Sequence, residues 1–145
     1  MALDYGVGRI VVDNLTELRL LDTMAAATGK RPGILLRGKP GIDAHTHSFI
    51  RTGQIDSKFG FALETGEAMA AVKEALAAKE LELRGLHCHI GSQIFDIQPF
   101  CHAARVMLEL MDSIRRETGT ALPELDLGGG FGIPYIPDND PVPYS

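Results

Sequence analysis

The chain is predicted to be an α/β unit: a partial, half TIM-type β/α barrel of about four parallel strands with three outer helices. Three observations lead there. Aliphatic and β-branched runs alternate with segments of helical periodicity in the order β-α-β-α-β-α-β. Each helical segment is long enough to cross back over a sheet, as parallel pairing requires. The last two strand-like runs lead into Gly91-Ser92 and Gly128-Gly129-Gly130, and ligands of parallel α/β units sit at the carboxyl ends of strands. Four strands do not close a barrel, so this architecture means a piece of one or a unit completed by a partner. A four-stranded doubly wound sheet gives the same element order, and the pattern leaves the two open.

The first strand is read over 9–13, Arg-Ile-Val-Val-Asp, from its β-branched content. Asn14, with Glu17 three residues on, forms a capping-box signature and opens a helix. Leu15, Leu18, Leu21 and Ala25 recur at helical spacing, and Gly29 supplies the stop. Residues 33–37, Gly-Ile-Leu-Leu-Arg, read as a buried strand. Residues 38–63 form a long irregular connection holding Gly38, Pro40, Gly41, Gly53 and Gly60; such length marks a functional loop or a hidden element. A helix is expected over 64–79, a strand over 83–90 and a helix over 98–118. Phe100, Ala103, Met107, Leu110 and Ile114 make the last helix's apolar stripe, and Gly119 ends it. The fourth strand is placed at 123–127. Residues 134–145, with Pro137, Pro141 and Pro143, should be an irregular proline-rich tail. There is no internal repeat.

Composition narrows the function classes. At 45% hydrophobic and 23% charged residues, the chain of 145 is ordinary globular material rather than disordered. Lys and Arg total 14 against 19 Asp and Glu, a net charge of −5 with no basic run, which argues against nucleic acid as a partner. No apolar run approaches membrane-spanning length, and Met1-Ala2-Leu3-Asp4 has no signal-peptide character, so a cytoplasmic protein without a membrane partner is expected. Cys88 and Cys101 fit reduced thiols, most simply as core residues.

The chemistry gathers at the third and fourth strand ends. In His87-Cys88-His89-Ile90-Gly91-Ser92-Gln93, alternation puts His87 and His89 on one face and Leu86, Cys88 and Ile90 on the other, under the helices. Two histidines satisfied in a polar core would look the same. Gly91-Ser92 directly afterwards adds close backbone approach and a hydroxyl donor for an oxyanion. Leu125-Asp126-Leu127 runs into Gly128-Gly129-Gly130, whose successive N–H groups can form an anion nest, although a flexible turn has the same composition. Two such loops on neighbouring strands favour a shared phosphate site. Neither loop is a Walker or a dinucleotide fingerprint. Arg37, at the end of the second strand, can orient a carboxylate or phosphate or pair with a neighbouring loop. His45 and His47 lie in the long connection without a strand to hold them, so no metal site is expected. Lys58 reads as a solvated loop residue.

These segments resemble pyridoxal-phosphate decarboxylases of the alanine-racemase-like barrel fold, diaminopimelate decarboxylases in particular. The stretch 87–94 is similar to their His-x-His-Ile-Gly-Ser-Gln run and 125–135 to their glycine-loop motif. Ser57-Lys58-Phe59-Gly60 and Arg37 to Gly41 occur in the same order, and the likeness covers nearly the whole chain. The resemblance implies pyridoxal phosphate as cofactor and decarboxylation of meso-diaminopimelate to L-lysine. His89 would stack on the cofactor ring. Ser92 with Gly128, Gly129 and Gly130 would hold its phosphate, Arg37 would line the pocket, and Lys58 would lie near a homodimer interface. The chain would be the central piece of such a barrel. The family's Schiff-base lysine stands in a Tyr-Ala-x-Lys context, which none of Lys30, Lys39, Lys58, Lys73 and Lys79 shares, so no catalytic residue is assigned and the isolated chain is expected to be inactive. Arg37-Gly38-Lys39-Pro40 departs from the usual Arg-Val-Asn-Pro. A related arginine- or ornithine-type enzyme and a non-catalytic half-barrel assembly module are the alternatives.

Overall fold

The computed structural model describes residues 2–42 and 59–134. His45, His47, Lys58 and residues 135–145 of the expected tail lie outside them.

The first element is a short helix, α1 (Ala2–Tyr5), followed by β1 (Ile10–Val12) and α2 (Leu15–Thr28). The capping expectation holds with one variation. Asn14 Oδ1 accepts the Glu17 N–H at 2.9 Å, but Glu17 reaches past Asn14 to accept the N–H of Asp13 at 2.7 Å. Gly29 closes α2 in the left-handed conformation at φ 63°. Next come β2 (Gly33–Lys39) and β3 (Phe61–Ala62). The two-residue β3 falls inside the expected irregular connection and pairs with Gly38 and Lys39. It is too short to carry any periodicity.

Then follow α3 (Glu67–Ala77), β4 (Glu82–His87), α4 (Gln98–Thr118) and β5 (Glu124–Asp126). Helix α3 starts three residues later than expected, because Gly66 takes a left-handed turn at φ 79°. Strand β4 stops at His87, so His89 stands on the loop beyond it rather than on the strand. In α4, Phe100, Ala103, Met107 and Ile114 are buried as the stripe requires. Cys101, one position round from Phe100, is exposed, which corrects its reading as a core residue; Cys88 is buried.

The sheet order is β1-β2-β4-β5, all parallel, with β3 beside the end of β2. Sequential order without a reversal separates the two candidate architectures, since a doubly wound sheet has a switch point with helices on both faces. Here α1, α2, α3 and α4 bury their apolar residues in one cluster with Val12, Ile34, Leu36, Leu86 and Cys88. The opposite face carries Val11, Leu35, Gly85 and the charged residues described below. This is the wall of a β/α barrel with helices outside, and it contains five strands and four helices among the described residues. The described helices include none long and apolar enough to cross a membrane.

Candidate functional site

Pairing register arranges the inner-face residues in rows. The amino-terminal rim contains Arg9, Gly33, Arg84 and Glu124. Arg9 Nε donates to Glu124 Oε2 at 2.6 Å, and Arg84 Nε donates to Glu124 Oε1 at 3.1 Å. A side chain at Gly33 would stand 3.0 Å from Arg9 and 3.1 Å from Arg84, so glycine leaves the space these arginines occupy. Together the guanidinium groups hold the Glu124 carboxyl down at about 2, Arg9 contributing most.

The carboxyl-terminal rim contains Asp13, Arg37, His87 and Asp126. Arg37 and His87 are register partners, as are His87 and Asp126. Asp13 accepts from Arg37 Nη1 at 3.3 Å. His87 Nδ1 is buried with no hydrogen-bond partner among the described residues. Burial is the main cause that lowers the His87 pKa below 6.5, with Asp126 opposing it and Arg37 reinforcing it.

Above this rim the β4 and β5 loops are zipped together. Cys88 N–H donates to Asp126 O at 2.9 Å, Ile94 N–H to Gly130 O at 2.9 Å, and Gly132 N–H to Ile94 O at 2.8 Å. The Gln93 amide completes the join by donating to Ile133 O at 2.9 Å and accepting from Ile133 N–H at 3.0 Å. Gln93 itself is in the left-handed region at φ 56°, the one such non-glycine residue described. Phe131 stacks on Phe100 of α4 at 4.1 Å between ring centroids.

The three glycines of the triplet differ in role. Gly130 has φ 102°, and a Cβ there would lie 1.8 Å from Gly91 O. Gly128 has φ 70°, its N–H donates to Asp126 Oδ1 at 2.7 Å, and a Cβ would stand 2.7 Å from Cys88 O and 3.0 Å from His89 Nδ1. A Cβ at Gly129 meets nothing within 4 Å. Among the described residues, no acceptor meets the N–H of Gly129 or Gly130 and no partner meets the Ser92 hydroxyl.

Close backbone packing beside open N–H donors and an exposed hydroxyl suits a phosphate group. Thus His89, Ser92, Gly128, Gly129 and Gly130 come together on one loop pair, with Gly128's N–H already engaged by Asp126. Arg37 lies on the rim below. Its departure from the usual motif falls on the other face: at Gly38 the space of a side chain is taken by Leu63 and Met107. Among the described residues, no three His, Cys, Asp or Glu side chains cluster as for a metal ion.

Sequence reasoning did not single out Asp13, Phe59 or Gln93. Phe59 and Gln93 stand inside motifs it quoted, whereas Asp13 was visible only as the last residue of a strand.

The chain is similar to known proteins over nearly its whole length. Diaminopimelate decarboxylase of Corynebacterium efficiens is 52% identical over 136 residues, covering 94% of this chain and 30% of that protein. The Bacillus subtilis diaminopimelate decarboxylase is 46% identical over 142 residues, 98% of this chain and 32% of the relative. The crystal structure of diaminopimelate decarboxylase from M. jannaschii in complex with L-lysine superposes with a TM-score of 0.84 at 36% identity, covering 97% of this chain and 32% of that one. The chain therefore spans about a third of the length of these relatives. The family model described as "Pyridoxal-dependent decarboxylase, pyridoxal binding domain" matches residues 1–145. The chain belongs to the pyridoxal-binding domain family of the pyridoxal-dependent decarboxylases.

Proposed function

We propose that this chain is the phosphate-side wall of a diaminopimelate decarboxylase, which converts meso-diaminopimelate to L-lysine and carbon dioxide. The observation that carries the reading is the interlock of Gly91–Gln93 with Gly128–Gly130, which leaves the Ser92 hydroxyl and the Gly129 and Gly130 N–H groups open to an anion. Ser92 and these donors would bind the phosphate of pyridoxal phosphate. The His89 imidazole would cover a face of its ring, and Arg37 would bound the pocket from below. When bound, the cofactor supplies the electron sink that makes loss of carbon dioxide feasible. The wall's own contribution is to hold the phosphate and to keep the ring in one orientation.

Diaminopimelate is favoured over lysine or ornithine as substrate by the comparisons. A lysine/ornithine decarboxylase from Vibrio vulnificus in complex with cadaverine superposes less well, at a TM-score of 0.68 and 28% identity. The same reading makes the chain the central piece of a cytoplasmic homodimeric enzyme. It also makes the isolated chain inactive, for want of the cofactor-anchoring lysine.

The test is carbon dioxide release by the protein that carries this chain, supplied with pyridoxal phosphate and, in turn, meso-diaminopimelate, lysine, ornithine and arginine. Release from meso-diaminopimelate alone is expected. Release from lysine, ornithine or arginine but not from meso-diaminopimelate would overturn the substrate, and release from none would favour an assembly role.

A further inference from the structure

Two segments far apart in sequence hold the Arg37 guanidinium. On one side Asp13 accepts from Nη1 at 3.3 Å, with the two side chains 25% and 22% exposed. On the other, Arg37 Cζ lies over the Phe59 ring at 5.1 Å from its centroid, inside the reach of a cation–π contact at about 6 Å. Neither partner is placed by chance of a long side chain. Asp13 is tied by its own N–H to Glu17 at the start of α2. Phe59 precedes Gly60, where φ is 78° and a Cβ would stand 2.7 Å from the carbonyl oxygen of Arg37 itself. Phe61 and Ala62 then pair with Gly38 and Lys39, which sets the ring's position by backbone register.

A guanidinium has five N–H donors in one plane. Asp13 engages one edge and Phe59 covers one face, and among the described residues no partner meets the remaining donors, which suit a ligand. We propose that Asp13 and Phe59 are positioning residues for Arg37, holding its plane so that its free edge meets an oxygen of the cofactor bound on the carboxyl rim. This rests on the reading of Arg37 as a pocket residue. It assigns a role to the Phe59-Gly60 segment, which becomes the arm that carries the ring to β2.

A double-mutant cycle in the protein that carries this chain tests it, read as the dissociation constant for pyridoxal phosphate in an absorbance titration. Phe59→Leu should weaken binding by about threefold to tenfold. Phe59→Tyr, which keeps a π face, should restore it, and Asp13→Asn should weaken it as Phe59→Leu does. In an Arg37→Met background, Phe59→Leu should have no further effect. In the cofactor-free protein the Arg37 Nε–Hε resonance should move on Phe59→Leu and stay in place on Phe59→Tyr. Equal losses for Phe59→Leu and Phe59→Tyr, or an undiminished loss in the Arg37→Met background, would overturn the proposal while leaving Arg37 in the pocket. Unchanged affinity in Arg37→Met alone would instead remove Arg37 from the pocket, and the proposal with it.

Discussion

The two rims of the inner face are built from the same strands with similar residues, yet they end differently. At the amino-terminal rim Arg9, Arg84, Glu82 and Glu124 satisfy one another. At the carboxyl-terminal rim Asp13 and Arg37 pair, but His87 Nδ1 has no partner among the described residues. Above it, the Gly129 and Gly130 N–H groups and the Ser92 hydroxyl have no partner among the described residues. A rim whose charges close on themselves holds the wall together, and one with polar groups left over is equipped to bind. The division matches the general habit of β/α barrels, in which chemistry occupies the carboxyl face and stability the amino face.

The largest expected effect breaks the carboxyl rim. Gly130→Val faces two obstacles, the left-handed backbone and the Gly91 carbonyl oxygen where its Cβ would be. It should cost about 2–4 kcal/mol of stability by urea denaturation and abolish pyridoxal phosphate binding. Gly129→Ala, in open space, should stay within about 0.5 kcal/mol of the parent. Equal damage from both would mean that the loops are not interlocked through Gly130.

Breaking the amino rim should lower stability without altering cofactor affinity. Glu124 has a folded pKa of about 2 against an ordinary 4.5. Its stabilising contribution is therefore complete above pH 4.5 and is lost as pH falls from there toward 2. Glu124→Gln should be less stable at neutral pH and show a flatter acid limb in that window, measured by denaturant unfolding at a series of pH values. A weakened cofactor affinity at pH 7 would show that the rims are coupled.

A smaller effect sharpens the comparison at His87. Its folded pKa lies below 6.5, so the unfolded chain binds the proton first as pH falls. The stability it confers by staying neutral is complete above pH 6.5 and declines as pH falls from there toward the lowered value. Asp126, Arg37, His89 and Asp13 are the charged or titratable groups that act on it. His87→Gln should remove that part of the slope, seen as a smaller difference in unfolding free energy between pH 7 and pH 5. An unchanged slope would show that His87 is not held neutral.

The smallest perturbation is chemical labelling. Cys101 is exposed and should react with a disulfide reagent in the native protein. Cys88 is buried under the helices, and burial raises its thiol to about 11, so it should react only on unfolding. Rapid labelling of both thiols would mean that the wall opens behind His87 and His89.

Much of this molecule was legible without coordinates because it is local. The Asn14 cap, the Gly29 and Gly119 stops and the apolar stripe of α4 depend on residues within a turn or two of one another. Alternation along the third strand correctly separated Cys88 from His87, and the two motif-bearing loops were found because their residues are contiguous. What the tertiary structure alone decided depends on contacts between strands. The choice of barrel wall over doubly wound sheet turns on strand order and on which face the helices cover, neither of which leaves a mark on periodicity. The two residues of β3 became a strand only because β2 was there to pair with them. Three adjacent glycines are equivalent on paper, but Gly130 cannot change because Gly91 packs against it from another loop, whereas Gly129 faces open space. Arg37 likewise meets Asp13 and Phe59 only once the sheet is assembled, since Asp13 comes from the segment just before α2 and Phe59 from the segment just before β3, both far from Arg37 in sequence.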